Sequence, residues 1–143
     1  VSILSKMADA VDIPILADAE GGYGSAMNVI RTIKEYEKTG VGGLFIEDQK
    51  QPPNCPFIKA PELVSTDEMV GKIRAAVDTR KDKDLVIIAR TDAPFEEAIE
   101  RANAYMEAGA DMGKILPKTR VGGTSVPRKW SDPSWTLCKQ GNQ

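Results

Sequence analysis

Two carboxylates, Asp18 and Glu20, stand between an apolar run and a glycine-rich turn at Gly21–Gly24. Side chains two residues apart project from the same face of an extended chain, so we expect both carboxylates to point the same way. Two like charges held together favour a hard divalent cation such as Mg²⁺. A solvated strand end followed by a polar turn is the alternative interpretation of these residues.

Polar groups also follow two further apolar runs of the chain. Glu47 and Asp48 follow the second run, and Arg90 and Asp92 follow the third, at Leu85–Ala89. Apolar residues on both faces are typical of parallel strands that are covered on both sides. Amphipathic helical patterns alternate with the runs, which predicts a βαβ array with a parallel sheet. The carboxyl ends of such strands meet at one edge, so we expect one face to carry Asp18, Glu20, Glu47, Arg90 and Asp92.

Capping residues indicate where the predicted helices begin and end. Ser25 is a candidate N-cap for the helix after the glycine-rich turn, and Gly40 is its candidate C′ residue. Ser65 and Glu68 form a capping-box pattern for the next helix, and a further helix ends at Gly109. The glycines after the first run do not form a G-x-G-x-x-G pattern, which argues against a dinucleotide-binding site.

The composition is that of one globular domain of 143 residues, 28% of them charged and 41% hydrophobic. The net charge of −2 offers no basic surface, so nucleic-acid and membrane partners are not expected. No run reaches membrane-spanning length and no signal pattern opens the chain, so we expect a cytoplasmic protein, or a mitochondrial-matrix one if the source is eukaryotic. The absence of histidine excludes a Ser-His-Asp triad and a histidine-ligated zinc site.

A proline-rich connection at Gln49–Pro61 surrounds Cys55. Connections of this length in compact domains are commonly lids or binding loops. Cys55 and Cys138 are far apart and have no metal-ligand spacing, which indicates reduced thiols. Cys55 is therefore a candidate for chemistry, and a spectator thiol is the alternative.

The three strand ends, taken together, resemble the isocitrate lyase and phosphoenolpyruvate mutase superfamily, and most closely its 2-methylisocitrate lyase and carboxyphosphonoenolpyruvate mutase-like branch. The stretches that carry the resemblance are Ala17–Gly24, Ile46–Gln49 and Ile87–Ala93. The resemblance implies a (β/α)₈ barrel that binds Mg²⁺ and an α-keto or hydroxy acid. It also implies chemistry that makes or breaks C–C or P–C bonds through a pyruvate-enolate-like species.

The resemblance implies a metal site at three of the acidic residues. Asp18 and Glu20 would hold Mg²⁺, or Mn²⁺, directly or through water, and Glu47 would support it through water. The family usually has Asp-x-Asp where this chain has Asp18-Ala19-Glu20, so the second carboxylate is one methylene longer.

The resemblance also implies residues that bind and convert a small carboxylic acid. Arg90 would bind a substrate carboxylate through two hydrogen bonds, and Tyr23 and Gly24 would lie at the substrate. Cys55 falls where the family lyases have the cysteine that protonates the departing enolate. Those lyases read Lys-Lys-Cys-Gly-His there, whereas this chain reads Pro-Asn-Cys-Pro-Phe over residues 53–57, which leaves the substrate open.

We expect a partial TIM barrel of about four βα units over residues 1–112. An irregular tail that diverges from the family is expected over residues 113–143. A complete barrel needs about 250 residues, so we expect a fragment. Its exposed strand edges predict a homo-oligomer, and the missing strands predict little turnover by the chain alone.

The leading functional hypothesis is Mg²⁺-dependent cleavage of a C–C bond in a 2-methylisocitrate-like hydroxy acid. A phosphonomutase or oxaloacetate-type activity of the same superfamily and a non-catalytic truncated homologue are the alternatives. An unrelated barrel enzyme acting on phosphorylated substrates is a further one, and it would need a glycine-rich phosphate site in later strands.

Overall fold

The computed structural model describes residues 1–55 and 58–116 and, by its backbone, one strand at 135–138. Helices and strands alternate along most of this length, as the periodicity predicts. The helices are α1 (Ser2–Asp9), α2 (Ala26–Glu37), α3 (Thr66–Thr79) and α4 (Phe95–Glu107). The strands are β1 (Leu16–Asp18), β2 (Gly43–Glu47), β3 (Val86–Thr91), β4 (Met112–Ile115) and β5 (Trp135–Cys138). Among the described helices, none is both long and apolar enough to cross a membrane.

The strands form one sheet in the order β1-β2-β3-β4-β5. The first four strands are parallel, and each pairs with the next one in the chain. This arrangement of consecutive βα units confirms the predicted α/β class with a parallel sheet. The described strands form an open sheet, so closure into a (β/α)₈ barrel stays a prediction.

The predicted irregular tail needs correction at two places. Parallel strand β4 runs on to Ile115, past the boundary expected at residue 112, and β5 pairs with it in antiparallel register. Strand β4 has only four residues, and two of them are Gly113 and Lys114. Its apolar pattern is therefore too short to be recognised from sequence. The other residues beyond 116 lie outside the described part of the chain.

One face of the sheet packs against helices and forms the core. Alternate strand residues such as Ala17, Leu44 and Ile87 are buried in a single cluster with Ile33 of α2 and Ile73 of α3. Because neighbouring strand residues point to opposite faces, the residues between them face the other side. That second face carries the candidate site.

The caps that the sequence indicates are present. The Ser25 N–H donates to Asn28 Oδ1 at 3.1 Å at the start of α2, and Ser65 Oγ accepts from the Glu68 N–H at 3.1 Å at the start of α3. Gly40, beyond the end of α2, has a φ of +77°, which glycine adopts without a Cβ penalty. These contacts fix the helix starts and therefore the loops that carry the polar residues.

Candidate active site

A row of charged residues crosses three strands of the sheet near their carboxyl ends. Glu47 pairs in register with Arg90, and Arg90 pairs in register with Lys114. Residues paired in this way project from the same face of a sheet. Asp18 pairs with Phe45, which stands two residues before Glu47 and therefore shares that face. The structure thus brings Asp18, Glu47 and Arg90 of the predicted set to one face.

Arg90 lies at the centre of this row and contacts two carboxylates. Its Nη1 lies 3.2 Å from Glu47 Oε2. Its Nε donates to Asp92 Oδ1 at 3.0 Å, and its Nη2 donates to Asp92 Oδ2 at 2.9 Å. Bidentate pairing of this kind fixes the plane of a guanidinium. Arg90 is therefore held in one orientation at the end of β3.

Glu47 is almost fully buried, at 5% exposure. Burial raises its pKa from 4.5 to about 7, and the positive charge of Arg90 opposes that shift. The negative charges of Asp92, Asp18 and Glu20 raise the pKa further. The negative charge of each neighbouring carboxylate therefore disfavours ionisation of Glu47.

The turn after β1 differs from the extended geometry that the sequence analysis assumes. The strand ends at Asp18, and Glu20 has a φ of +49°. The same-face argument for the two carboxylates is therefore wrong, because Glu20 is not in an extended conformation. The turn instead folds back on itself, since the Glu20 N–H donates to Asp18 Oδ1 at 2.7 Å and the Glu47 N–H donates to the Glu20 carbonyl at 2.8 Å.

Lys72 of α3 stabilises the same turn from the helix side, a contact that its place in the sequence does not indicate. Its side chain is buried, and its Nζ donates to the Gly21 carbonyl at 3.2 Å and lies 3.3 Å from Glu68. A lysine in a helical pattern usually indicates a solvated face. Only the tertiary structure shows that this one reaches the backbone beside the acidic residues.

Tyr23 and Gly24, predicted at the substrate, lie in the turn that joins β1 to α2. The Tyr23 and Tyr36 hydroxyl oxygens are 2.7 Å apart, and the Tyr36 hydroxyl donates to the Asp18 carbonyl at 3.1 Å. Gly24 has a φ of +138°, and a Cβ there would lie 2.7 Å from Asn28 Oδ1. These contacts attach both residues to the acidic turn, and their role toward a substrate stays a prediction.

Cys55 is a free, exposed thiol in the connection after β2. Its carbonyl accepts the N–H groups of Ile58 and Lys59 at 3.0 and 3.1 Å. The preceding Asn54 N–H donates to Gln49 Oε1 at 2.9 Å. Cys55 thus belongs to a turn whose backbone is tied to Gln49, directly after the strand that carries Glu47.

Asp48, one residue beyond Glu47, contacts helix α4 and not Arg90, and its Oδ1 accepts the Asp92 backbone N–H at 3.3 Å. Its Oδ2 accepts from the Tyr105 hydroxyl at 2.9 Å and lies 3.4 Å from Arg101 Nη1, and both partners belong to α4. Burial raises the pKa of Asp48, and hydrogen bonds from Thr91 and Tyr105 oppose the shift. Asp48 therefore ties the strand end to the helix layer.

Lys114 is a second cation on the site face, and the sequence analysis missed it because residue 114 fell in the predicted tail. Its Nζ lies 4.5 Å from the centroid of the Phe45 ring, within the range of a cation–π contact. The ammonium group therefore extends from β4 back across the sheet toward β2. It adds positive charge on the face where Arg90 lies.

The three predicted metal ligands are hard oxygen donors, the type that Mg²⁺ prefers. Within residues 1–55 and 58–116, no three acidic or thiol side chains converge closely enough to hold a metal ion. Glu47 is also paired with Arg90. A Mg²⁺ site at Asp18, Glu20 and Glu47 therefore stays a prediction, and it would need water among the metal ligands.

Comparison with known sequences gives one family match and close relatives. The sequence profile named phosphoenolpyruvate phosphomutase matches residues 1–121, so the resemblance extends beyond the end predicted at residue 112. The chain is 49% identical to 2,3-dimethylmalate lyase of Eubacterium barkeri, over 78% of this chain and 40% of that protein. It is 48% identical to 2-methylisocitrate lyase of Shewanella oneidensis, over 75% of this chain and 38% of that protein.

Solved structures that resemble this chain include a phosphomutase and a hydrolase that acts on phosphonopyruvate. A phosphoenolpyruvate phosphomutase from Streptomyces platensis subsp. rosaceus superposes with a TM-score of 0.77 at 38% identity, over 82% of this chain and 43% of that one. A phosphonopyruvate hydrolase solved with oxalate and Mg²⁺ gives a TM-score of 0.72 at 38% identity, over 84% of this chain and 42% of that one. The chain thus spans about 40% of the length of the relatives it matches.

Proposed function

Because the chain belongs to the phosphoenolpyruvate phosphomutase family, we propose that it carries the metal-binding and carboxylate-binding part of a carbon–carbon lyase. The proposed reaction is the Mg²⁺-dependent cleavage of a 2-methylisocitrate-like hydroxy acid through an enolate. Relatives named as lyases, at 49% and 48% identity, support this choice of reaction.

The observation that carries the proposal is the fixed orientation of Arg90. Asp92 holds its guanidinium through two hydrogen bonds, on the sheet face where Asp18 and Glu47 also lie. A guanidinium fixed beside acidic groups can bind the carboxylate of a substrate that also contacts a cation. Lys114 offers a second positive charge, which suits a substrate with more than one carboxylate.

Each proposed residue has a distinct task. Asp18, Glu20 and Glu47 would hold Mg²⁺, which when bound supplies positive charge that stabilises an enolate oxygen. Arg90 would orient the substrate by one carboxylate. The substrate hydroxyl would lose its proton to solvent and become the carbonyl of the keto-acid product. The electron pair of the broken C–C bond would go to the departing fragment as an enolate, and the Cys55 thiol would donate its proton to the enolate carbon.

A phosphonomutase or hydrolase activity of the same superfamily is the second candidate. The lysine and histidine that flank the cysteine in the family lyases are absent here, where the sequence is Pro53-Asn54-Cys55. Structural relatives named as a phosphomutase and a phosphonopyruvate hydrolase give this alternative its support. In these reactions Arg90 and the acidic residues would keep their tasks, and Cys55 would have none.

Calorimetric titration with oxalate in the presence of Mg²⁺ tests the proposed site, since oxalate is a small planar dicarboxylate. We expect wild type to bind, and Arg90→Lys to bind about tenfold more weakly because lysine cannot form the bidentate pair. Arg74→Lys, an exposed arginine of α3, is the matched control. Turnover of 2-methylisocitrate, 2,3-dimethylmalate, oxaloacetate and phosphonopyruvate then identifies the reaction, and lack of oxalate binding by wild type would contradict the site.

A further inference from the structure

The side chain of Gln49 connects two parts of the site. Its Nε2 donates to Asp92 Oδ2 at 2.6 Å, and its Oε1 accepts the Asn54 N–H at 2.9 Å. Gln49 is 3% exposed, its bond to Asp92 is buried, and its bond to Asn54 is partly buried. The Gln49 amide therefore donates to Asp92, which holds Arg90, and accepts from Asn54, which precedes Cys55.

The backbone of Gln49 is fixed independently of the connection that follows it. Gln49 forms an antiparallel bridge with Leu63, and the adjacent Lys50 N–H donates to the Glu62 carbonyl at 2.8 Å. This bridge closes the base of the connection beside β2. The backbone that carries the amide is consequently fixed where the two ends of the connection meet.

Only an amide satisfies both neighbours at this position. Asp92 presents a carboxylate and needs a donor, whereas the Asn54 N–H needs an acceptor. A glutamate would place a second negative charge against Asp92, whereas a leucine would remove one of the donors to Asp92, which keeps Arg90, and would remove the acceptor of the Asn54 N–H. Buried polar groups that lose a partner are strongly destabilised, so the amide holds both neighbours in place.

We infer that Gln49 is a positioning residue that holds the Cys55 turn at a fixed place relative to the guanidinium of Arg90. The connection runs from Arg90 through Asp92 and Gln49 to the Asn54 N–H. It sets where the thiol stands with respect to a carboxylate bound on Arg90. The effect of Gln49 on catalysis rests on the proposed function. The hydrogen bonds from Gln49 to Asp92 and Asn54 can be tested without measuring turnover.

The first test measures hydrogen exchange of the Asn54 amide in wild type, Gln49→Leu and Gln49→Glu. Gln49→Leu removes the acceptor, so Asn54 exchange should rise at least tenfold. Gln49→Glu retains an acceptor oxygen, so Asn54 should stay protected within about twofold of wild type. Gln51→Leu, an exposed glutamine of the same connection, is the matched control. Unchanged Asn54 exchange in Gln49→Leu would overturn the inference.

The second test measures oxalate affinity with Mg²⁺ in the same variants. Gln49→Leu and Gln49→Glu should each weaken binding about five- to tenfold, because both disturb Asp92. In an Arg90→Lys background the effect of Gln49→Leu should fall below twofold, since it acts through Arg90. Equal losses in both backgrounds would overturn the inference. If wild type does not bind oxalate, the proposed function fails, while Asn54 exchange still decides whether Gln49 holds the turn.

Discussion

Arg90 and Asp92, two residues apart at the end of β3, form a bidentate pair with bonds of 3.0 and 2.9 Å. Asp92 is 1% exposed, so this carboxylate depends on its partners within the protein. The pair orients a guanidinium toward the site face of the sheet. The buried carboxylate of Asp92 thereby holds the guanidinium that we propose binds the substrate.

Asp92→Asn should weaken both the fold and anion binding. The substitution removes the negative charge opposite Arg90 and one acceptor for Gln49, so we expect the unfolding free energy to fall by about 1–3 kcal/mol. Oxalate affinity should fall about tenfold, because Arg90 loses its fixed orientation. Denaturant unfolding and calorimetry measure the two effects, with Asp78→Asn on the exposed side of α3 as the control. Wild-type oxalate affinity in Asp92→Asn would contradict this role.

Mg²⁺ or Mn²⁺ should raise the unfolding temperature of the protein. A cation relieves the repulsion among Asp18, Glu20 and Glu47, and binding to the native state alone stabilises it by about 2.7 kcal/mol at 100 times Kd. Asp18→Asn should abolish the effect, whereas Asp12→Asn, on an exposed residue before β1, should not. Calorimetry that detects no binding at millimolar Mg²⁺ by wild type would refute the metal assignment.

Stability in metal-free buffer should decrease between pH 5 and pH 8. The pKa of Glu47 is raised from 4.5 to about 7 in the folded protein, first of all by burial, so the native state binds this proton more tightly than the unfolded chain. The stabilisation is complete below pH 4.5 and is lost as the pH rises through 7. Denaturant unfolding with a chelator should show this slope in wild type and a flatter one in Glu47→Gln; identical slopes would exclude Glu47 as its source.

Cys55→Ser should lower kcat strongly and leave substrate affinity nearly unchanged. A serine hydroxyl is a much weaker acid than a thiol, and the proton is needed only as the bond breaks. Rates are best measured in single turnovers at high protein concentration, with each substrate of the panel and with Cys138→Ser as the control. Equal rates for wild type and Cys55→Ser would make Cys55 a spectator.

The exposed edge of the sheet should promote association of two chains. β1 is the edge strand of the described sheet, and Leu16 within it is 51% exposed. Strand edges and apolar side chains of this kind favour pairing with another copy. Light scattering after size exclusion should show an oligomer that Leu16→Glu weakens and Met27→Glu, on the outer surface of α2, does not. A wild-type monomer at high concentration would contradict the prediction.

The sequence predicted the parallel strands and the charged residues near their carboxyl ends, because apolar runs and helical periodicity are local signals. It could not tell that Glu47 faces the site and Asp48 faces α4, since both follow the same run. Lys72 and Gln49 were missed as site residues for a related reason. Their contacts with Gly21 and Asp92 join segments 51 and 43 residues apart, and no local pattern encodes such pairs.

The alternation of Glu47 and Asp48 at the end of β2 makes this strand intolerant of length changes. Deleting one residue within Gly43–Ile46 would shift the pleat by one position and exchange the two acids between the faces of the sheet. Asp48 would then replace Glu47 beside Arg90, and Glu47 would take the position of Ile46, where its carboxylate would enter the buried apolar cluster beside Ala89. Natural variation in chain length should therefore be confined to the connections, and β2 should keep its residue count wherever the two acids are kept.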